Sequence, residues 1–169
     1  MSATKPDLVW DRIRTETQKH AQEEAVLASF LHSTILNHDS LECALSFHLA
    51  SQLDSPTVTS LLLREVMLQA MRADDAIGEA IRADLLAVVE RDSASHELYI
   101  PFLYFKGFHA LQAYRVSHYL WKSGRRVLAH YLQSQVSQHF QIDIRKYSLH
   151  TLEYCYRAKY SDVFLSVQI

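Results

Sequence analysis

Three glycines and three prolines in 169 residues leave this chain too few turn-making positions for a sheet of many strands. A sheet protein of this length would need a Gly, Pro or Asn-Gly signal every eight to twelve residues or so. Here alanine, leucine, glutamine and glutamate dominate instead, and these residues lose little on entering a helix. The expected fold class is all-α. A hydrophobic fraction of 49% with 21% charged residues belongs to a globular chain with a real core rather than to a disordered one.

The apolar residues recur at helical spacing. Val9, Trp10 and Ile13 start a first helix that turns polar through TQKHAQEE, and Val26, Leu27, Phe30, Leu31, Thr34 and Ile35 form a second stripe ending at Asn37-His38. Asp39 with Glu42 three residues later fits a capping box, and Leu41, Leu45, Leu49 and Leu53 follow at strict intervals of four. Ser55-Pro56 reads as N-cap and first-turn proline of a further helix with a wide apolar face over 61–71. Asp74-Asp75 opens another, with Ile77, Ile81, Leu85 and Val88 on one side.

Residues 91–126 organise the rest. The run RDSASH favours a turn, so the preceding helix should stop near Arg91. Pro101 suits a first helical position, Gly107 should break that short helix, and Leu111, Tyr114, Val116, Leu120 and Trp121 mark a longer one. Gly124 is placed to end it, with Lys122 just inside to meet the negative end of the helix dipole. The same stretch divides the charge. Residues 1–100 carry eight Lys/Arg against sixteen Asp/Glu, a net −8, whereas residues 101–169 carry nine against three, a net +6. A basic half can bind phosphates, or it can be an association surface or a solvated face, and its scattered residues with no nucleic-acid motif favour the latter two. No nucleic acid is expected as a partner.

Cys43 and Cys155 have no partner at metal-site spacing, which fits reduced thiols in the cytoplasm. No window is apolar enough to span a membrane, and the amino terminus lacks a secretory apolar core. Of the ten histidines, none belongs to an HExxH motif, so no metal is expected. His109, His118, His130 and His139 should lie on helix flanks or hydrogen-bond in the core. Asp92, at a helix end among small residues, reads by itself as a cap of the next turn.

The runs LASFLHSTILNH, ALSFHLASQL, LYFKGFHALQAYR and LQSQVSQHFQIDI, in that order, resemble the amino-terminal helical domain of bacterial serine O-acetyltransferases. The resemblance covers roughly residues 1–144 and implies a multi-helix domain of that type. It implies that Asp92, in the RD segment, contacts the amino-acid substrate, as a carboxylate suits an ammonium group. It implies that Asp143, in QIDI, orients the histidine that acts as general base on the serine hydroxyl. In the family that histidine follows in a left-handed β-helix, which also holds acetyl-CoA. Here Ile144 is followed by RKYSLHTLEYCYRAKYSDVFLSVQI, without glycine or proline, and His150 lies outside the family's motif.

The expected organisation is therefore a helical domain over 1–144 and a divergent tail over 145–169, of the kind a truncation or frameshift would leave. Three functions are compatible with it. The first is serine O-acetyltransferase, transferring acetyl from acetyl-CoA to L-serine in cysteine biosynthesis, with this chain inactive alone. The second is a helical oligomerisation module, since the family's helical domains join trimers into hexamers, pairing with itself or with a full-length serine acetyltransferase. The third is a non-functional fragment. Family members end in an isoleucine that enters O-acetylserine sulfhydrylase; Ile169 is shared, but Ser166-Val167-Gln168 does not match, so that partner is not expected.

Overall fold

The computed structural model describes residues 6–91 and 96–142. Among these it has eight α-helices and no strand. They are α1 (Leu8–Glu23), α2 (Ala25–Leu31), α3 (Leu41–Gln52), α4 (Ser60–Ala73), α5 (Asp75–Arg91), α6 (Tyr99–Tyr104), α7 (Lys106–Lys122) and α8 (Arg126–Phe140). A π-helical turn, His32–Leu36, continues α2. The chain divides into two compact units, Met1–Phe105 and Lys106–Ile169. The expected boundary after Ile144 lies outside the described residues.

In the first unit α3 packs on α4, α5 lies against α4 and α6, and α1 runs along α2, the π turn and α6. The four-residue leucine stripe does what its spacing implies: Leu41, Leu45, Leu49 and Leu53 are all buried, as are Ile77, Ile81, Leu85 and Val88 on α5. Each such side chain contributes roughly 1.5–3 kcal/mol by leaving water. Val26, Leu27 and Phe30 depart from expectation. Only Leu31, Thr34 and Ile35 of their stripe are buried, while Val26 is 86% exposed. Helix α2 has seven residues before its spacing changes to that of the π turn, so one period does not carry the stripe onto the core.

Several helix starts also differ. The N-cap of α3 is Ser40, whose hydroxyl accepts from the Cys43 N–H at 3.2 Å, and not Asp39. Glu42 makes no capping box because its carboxylate is taken by Arg82, whose Nη1 donates to Oε1 at 2.6 Å. Helix α4 begins at Ser60 rather than after Pro56: Ser55 spends its hydroxyl on a local turn, accepting from Val58 N–H at 3.0 Å, and Asp54 accepts from the Ser60 N–H instead. Pro101 is the third residue of α6, still among the positions whose N–H has no partner within the helix. The break after α6 is the extended Phe105, with φ −86° and ψ 104°, and Gly107 sits inside the first turn of α7.

The expected stop of α7 is present in detail. Gly124 has φ +84°, the left-handed conformation glycine adopts without strain. Arg125 N–H donates to Leu120 O at 2.9 Å and Gly124 N–H to Trp121 O at 3.2 Å, the paired bonds of a Schellman motif. The turn lets α8 fold back on α7 to form the second unit, where Ser117 Oγ donates to Ala129 O at 2.9 Å.

Arg82 joins three parts of the first unit. Its Nε donates to Asp7 Oδ2 at 3.0 Å, and its Nη1 donates both to Glu42 and to Gly78 O at 2.8 Å. Asp7 is also the N-cap of α1, accepting from Trp10 N–H at 3.1 Å. A Cβ on Gly78 would lie 3.0 Å from Glu42 Oε1, so the bare helix backbone gives the pair its room. Burial alone would push the Asp7 carboxyl up, but hydrogen bonds from Arg82 and Trp10, with the Arg82 charge, hold it below the usual carboxylate range.

Two outcomes follow for stability. Arg82→Met strands two half-buried carboxylates and should cost about 2 kcal/mol, less than for a fully buried pair because solvent screens this one. Because the Asp7 carboxyl is depressed in the folded state, its contribution is full above its unfolded value of 3.8 and is lost as pH falls through the folded one. Asp7→Asn should therefore flatten the loss of stability below about pH 4, measured by urea unfolding from pH 2.5 to 7. An unchanged acid slope would contradict this role.

Candidate functional site

Asp92 and Asp143 both lie outside the described residues, as do His150, Cys155 and the tail. What the structure defines is the segment that follows Asp92, in the first unit, and the segment that precedes Asp143, in the second.

Beyond residues 92–95 the chain re-enters at His96, and one face of α1 holds it there. Arg12, Glu16 and His20 stand four residues apart, so they line up along the helix. Arg12 donates to His96 O and, at 2.8 Å, to Glu16 Oε1. The other oxygen of Glu16 accepts from Tyr99 N–H at 3.2 Å. His20 Nε2 lies 2.9 Å from Glu97 Oε1, its Nδ1 3.2 Å from Glu23 Oε2, and its ring meets Tyr99 with centroids 4.9 Å apart. Burial first, then the carboxylates of Glu97, Glu16 and Glu23 together with Tyr104, raise the Tyr99 phenol above its ordinary value.

A second tie reaches the same segment from α3. His48 is buried, with Nε2 3.1 Å from Leu103 O and 2.7 Å from the Gln52 side-chain amide. Its ring stacks on Phe102 at 6.1 Å and 17°. Burial lowers the His48 pKa, outweighing the carbonyl, which favours the charged form. A histidine kept neutral this way supports folding fully above 6.5 and less as pH falls below it.

In the second unit α8 ends just before Asp143. Phe140 is buried with His109 beside it, ring centroids 5.7 Å apart. Gln141 takes φ +61°, ψ 29°, a left-handed turn unusual for a residue with a Cβ, and Ile142 then lines a hollow with Tyr114, Ser117, Gln133 and Val136. Of the expected flank or core histidines, His109 is buried, His118 half-buried and His130 and His139 exposed. His130 meets Trp121 edge-on at 5.1 Å, and Arg126 lies over the same ring at 5.1 Å. Between residues 106 and 142 there are five Lys/Arg and no Asp or Glu, so this unit carries the basic part of the described chain.

Among the described residues no group of three His, Cys, Asp or Glu side chains has the arrangement to hold a metal ion. No described helix is long and apolar enough to cross a membrane. Cys43 is half-buried on α3, its Sγ 3.9 Å from Arg72 Nη2. The α1 clasp escaped the sequence reading, though its four-residue spacing was visible in the stretch read only as a polar flank. The His48 tie had no local signal, since its partner is 55 residues away.

Eight helices and no strand among the described residues, with α1 gripping the chain after residues 92–95 and α8 ending at Phe140, are the architecture of an amino-terminal helical domain of the serine acetyltransferase type. Residues 9–113 match the family described as serine acetyltransferase, N-terminal. The chain is 46% identical over 144 residues to serine acetyltransferase of Escherichia coli strain K12, covering 85% of this chain and 53% of that one. A solved serine acetyltransferase in complex with CoA superposes with a TM-score of 0.79 at 46% identity, over 80% of this chain and 58% of that one. The soybean enzyme complexed with serine does so at 0.79 and 43%, over 85% and 59%. This chain belongs to the serine acetyltransferase family and spans about half the length of the curated relatives it matches.

If α1 holds the segment after Asp92, Glu16→Ala should release both Arg12 and the Tyr99 N–H. The expected loss is about 1–2 kcal/mol, with faster amide exchange at residues 96–99 and little change in α7 or α8. Uniform exchange changes throughout the chain would instead make Glu16 a general stabiliser.

Proposed function

We propose that this chain is the helical half of a cytoplasmic serine O-acetyltransferase, acting on L-serine and acetyl-CoA to give O-acetyl-L-serine and CoA, and that it is inactive alone. The observation that carries the reading is 46% identity over 144 residues, together with the 53% of the relative's length that this match covers. Similarity to solved proteins holding CoA and serine supports the substrate pair.

In this reading Asp92 meets the serine ammonium group and Asp143 holds a histidine base in position. The base takes the hydroxyl proton as serine Oγ attacks the thioester carbon; the C–S bond then breaks and CoA leaves as the thiol. The base and the acetyl-CoA groove belong to a region that residues 145–169 do not resemble. General-base catalysis is worth roughly two to four orders of magnitude, and positioning the second substrate can be worth more.

A second reading, a homo-oligomer formed through the helical region, is favoured by Val26, Leu61 and Leu62, which are 86%, 65% and 57% exposed. Apolar side chains so placed gain by being covered.

The expected outcome is that the purified 169-residue chain transfers acetyl from acetyl-CoA to serine no faster than buffer, followed by CoA thiol release. Asp92→Asn should then change nothing in that assay. Turnover by the isolated chain that Asp92→Asn abolished would overturn the inactivity and place a base and a cofactor site within residues 1–169.

A further inference from the structure

Between α7 and α8 lies a hollow of about 10 Å³, close to the space that one water needs. Tyr114 and Ser117 of α7, Gln133 and Val136 of α8, and Ile142 line it. Tyr114 is 8% exposed, and its hydroxyl is buried with no hydrogen-bond partner among the described residues. In the unfolded chain that phenol bonds to solvent, so leaving it unpaired in the folded one is costly. Folded proteins satisfy nearly all such groups, and use ordered water where no protein atom reaches.

The lining has the chemistry to hold a water. Three of its five residues, Tyr114, Ser117 and Gln133, carry polar side chains, within the two to four partners that a buried water uses. Burial raises the Tyr114 pKa, so the phenol keeps its proton and can donate it. Ser117 Oγ donates to Ala129 O at 2.9 Å, which commits its hydrogen but leaves its oxygen able to accept. The Gln133 amide offers an acceptor oxygen as well as donors. Val136 and Ile142 supply the apolar remainder. A space of this size lined only by such residues stays dry, so the polar groups decide what this one holds.

We propose that this hollow is the binding site of one structural water, which accepts from the Tyr114 hydroxyl and donates to Ser117 Oγ and to the Gln133 side-chain oxygen. The water bridges α7 to α8 and, with the Ser117–Ala129 hydrogen bond, fastens the two helices along one stretch. It satisfies the phenol that packing leaves without a partner.

Oxygen-17 relaxation dispersion of water counts the long-lived waters of the full chain. The count should fall by one in Tyr114→Phe, which removes the donor. It should also fall by one in Val136→Ile, whose extra methylene takes the water's room while every polar group stays in place. Urea unfolding gives a second reading through a double-mutant cycle. Val136→Ile alone should lower the folding equilibrium constant about tenfold, because it strands the phenol, and should cost about tenfold less when made in the Tyr114→Phe chain. A parent with no long-lived water, a count that survives Val136→Ile, or an equal effect of Val136→Ile in both backgrounds would overturn the proposal and leave the hollow dry. Should Tyr114→Phe fail to fold, the water count in Val136→Ile decides alone.

Discussion

One guanidinium sets the frame of the first unit. Arg82 reaches the N-cap of α1, the first turn of α3 and the backbone of its own helix, so three segments of the sequence share a single fork of donors. The arginine geometry suits this because its nitrogens lie in one plane and point in fixed directions. Around it the leucine and isoleucine stripes supply most of the free energy, while Arg82 selects how the helices meet. Because Asp7 does double duty, the start of α1 and the attachment of α1 to α5 stand or fall together.

That attachment matters for the site because α1 is also the element that grips the chain after residues 92–95. Arg12, Glu16 and His20 on one side and His48 on the other pin His96, Glu97, Tyr99 and Leu103. In the second unit a left-handed residue, Gln141, ends α8 in place of the glycine that usually ends such a helix.

Much of this was legible in the sequence. The strict spacing of Leu41, Leu45, Leu49 and Leu53 could only be one buried helix face, and Gly124 could only be a stop, because both are decided by the backbone alone. Asp39, Ser55 and Gly107 were misassigned for a common reason: caps and breaks are contests between neighbouring short polar or small residues, and the winner depends on what else each side chain touches. Glu42 looked like half of a capping box and is half of an ion pair with a residue 40 positions away. The π turn after α2 left Val26 and Phe30 outside, since a stripe read at one period fails when the period changes. Asp92 and Asp143 were named through a resemblance, not through chemistry visible in their own neighbourhoods; by composition Asp92 read as a cap.

The central proposal is that residues 1–144 are a helical half in which Asp92 meets the serine and Asp143 serves a histidine base, the base and the acetyl-CoA site being supplied elsewhere. Joining them to the part of the Escherichia coli relative that follows the matched region tests it most directly. The chimera should acetylate serine at a rate within about tenfold of the relative, and Asp143→Asn in the helical half should lower kcat by roughly two orders of magnitude or more. A folded, assembled chimera with no activity, or one indifferent to Asp143→Asn, would contradict the account.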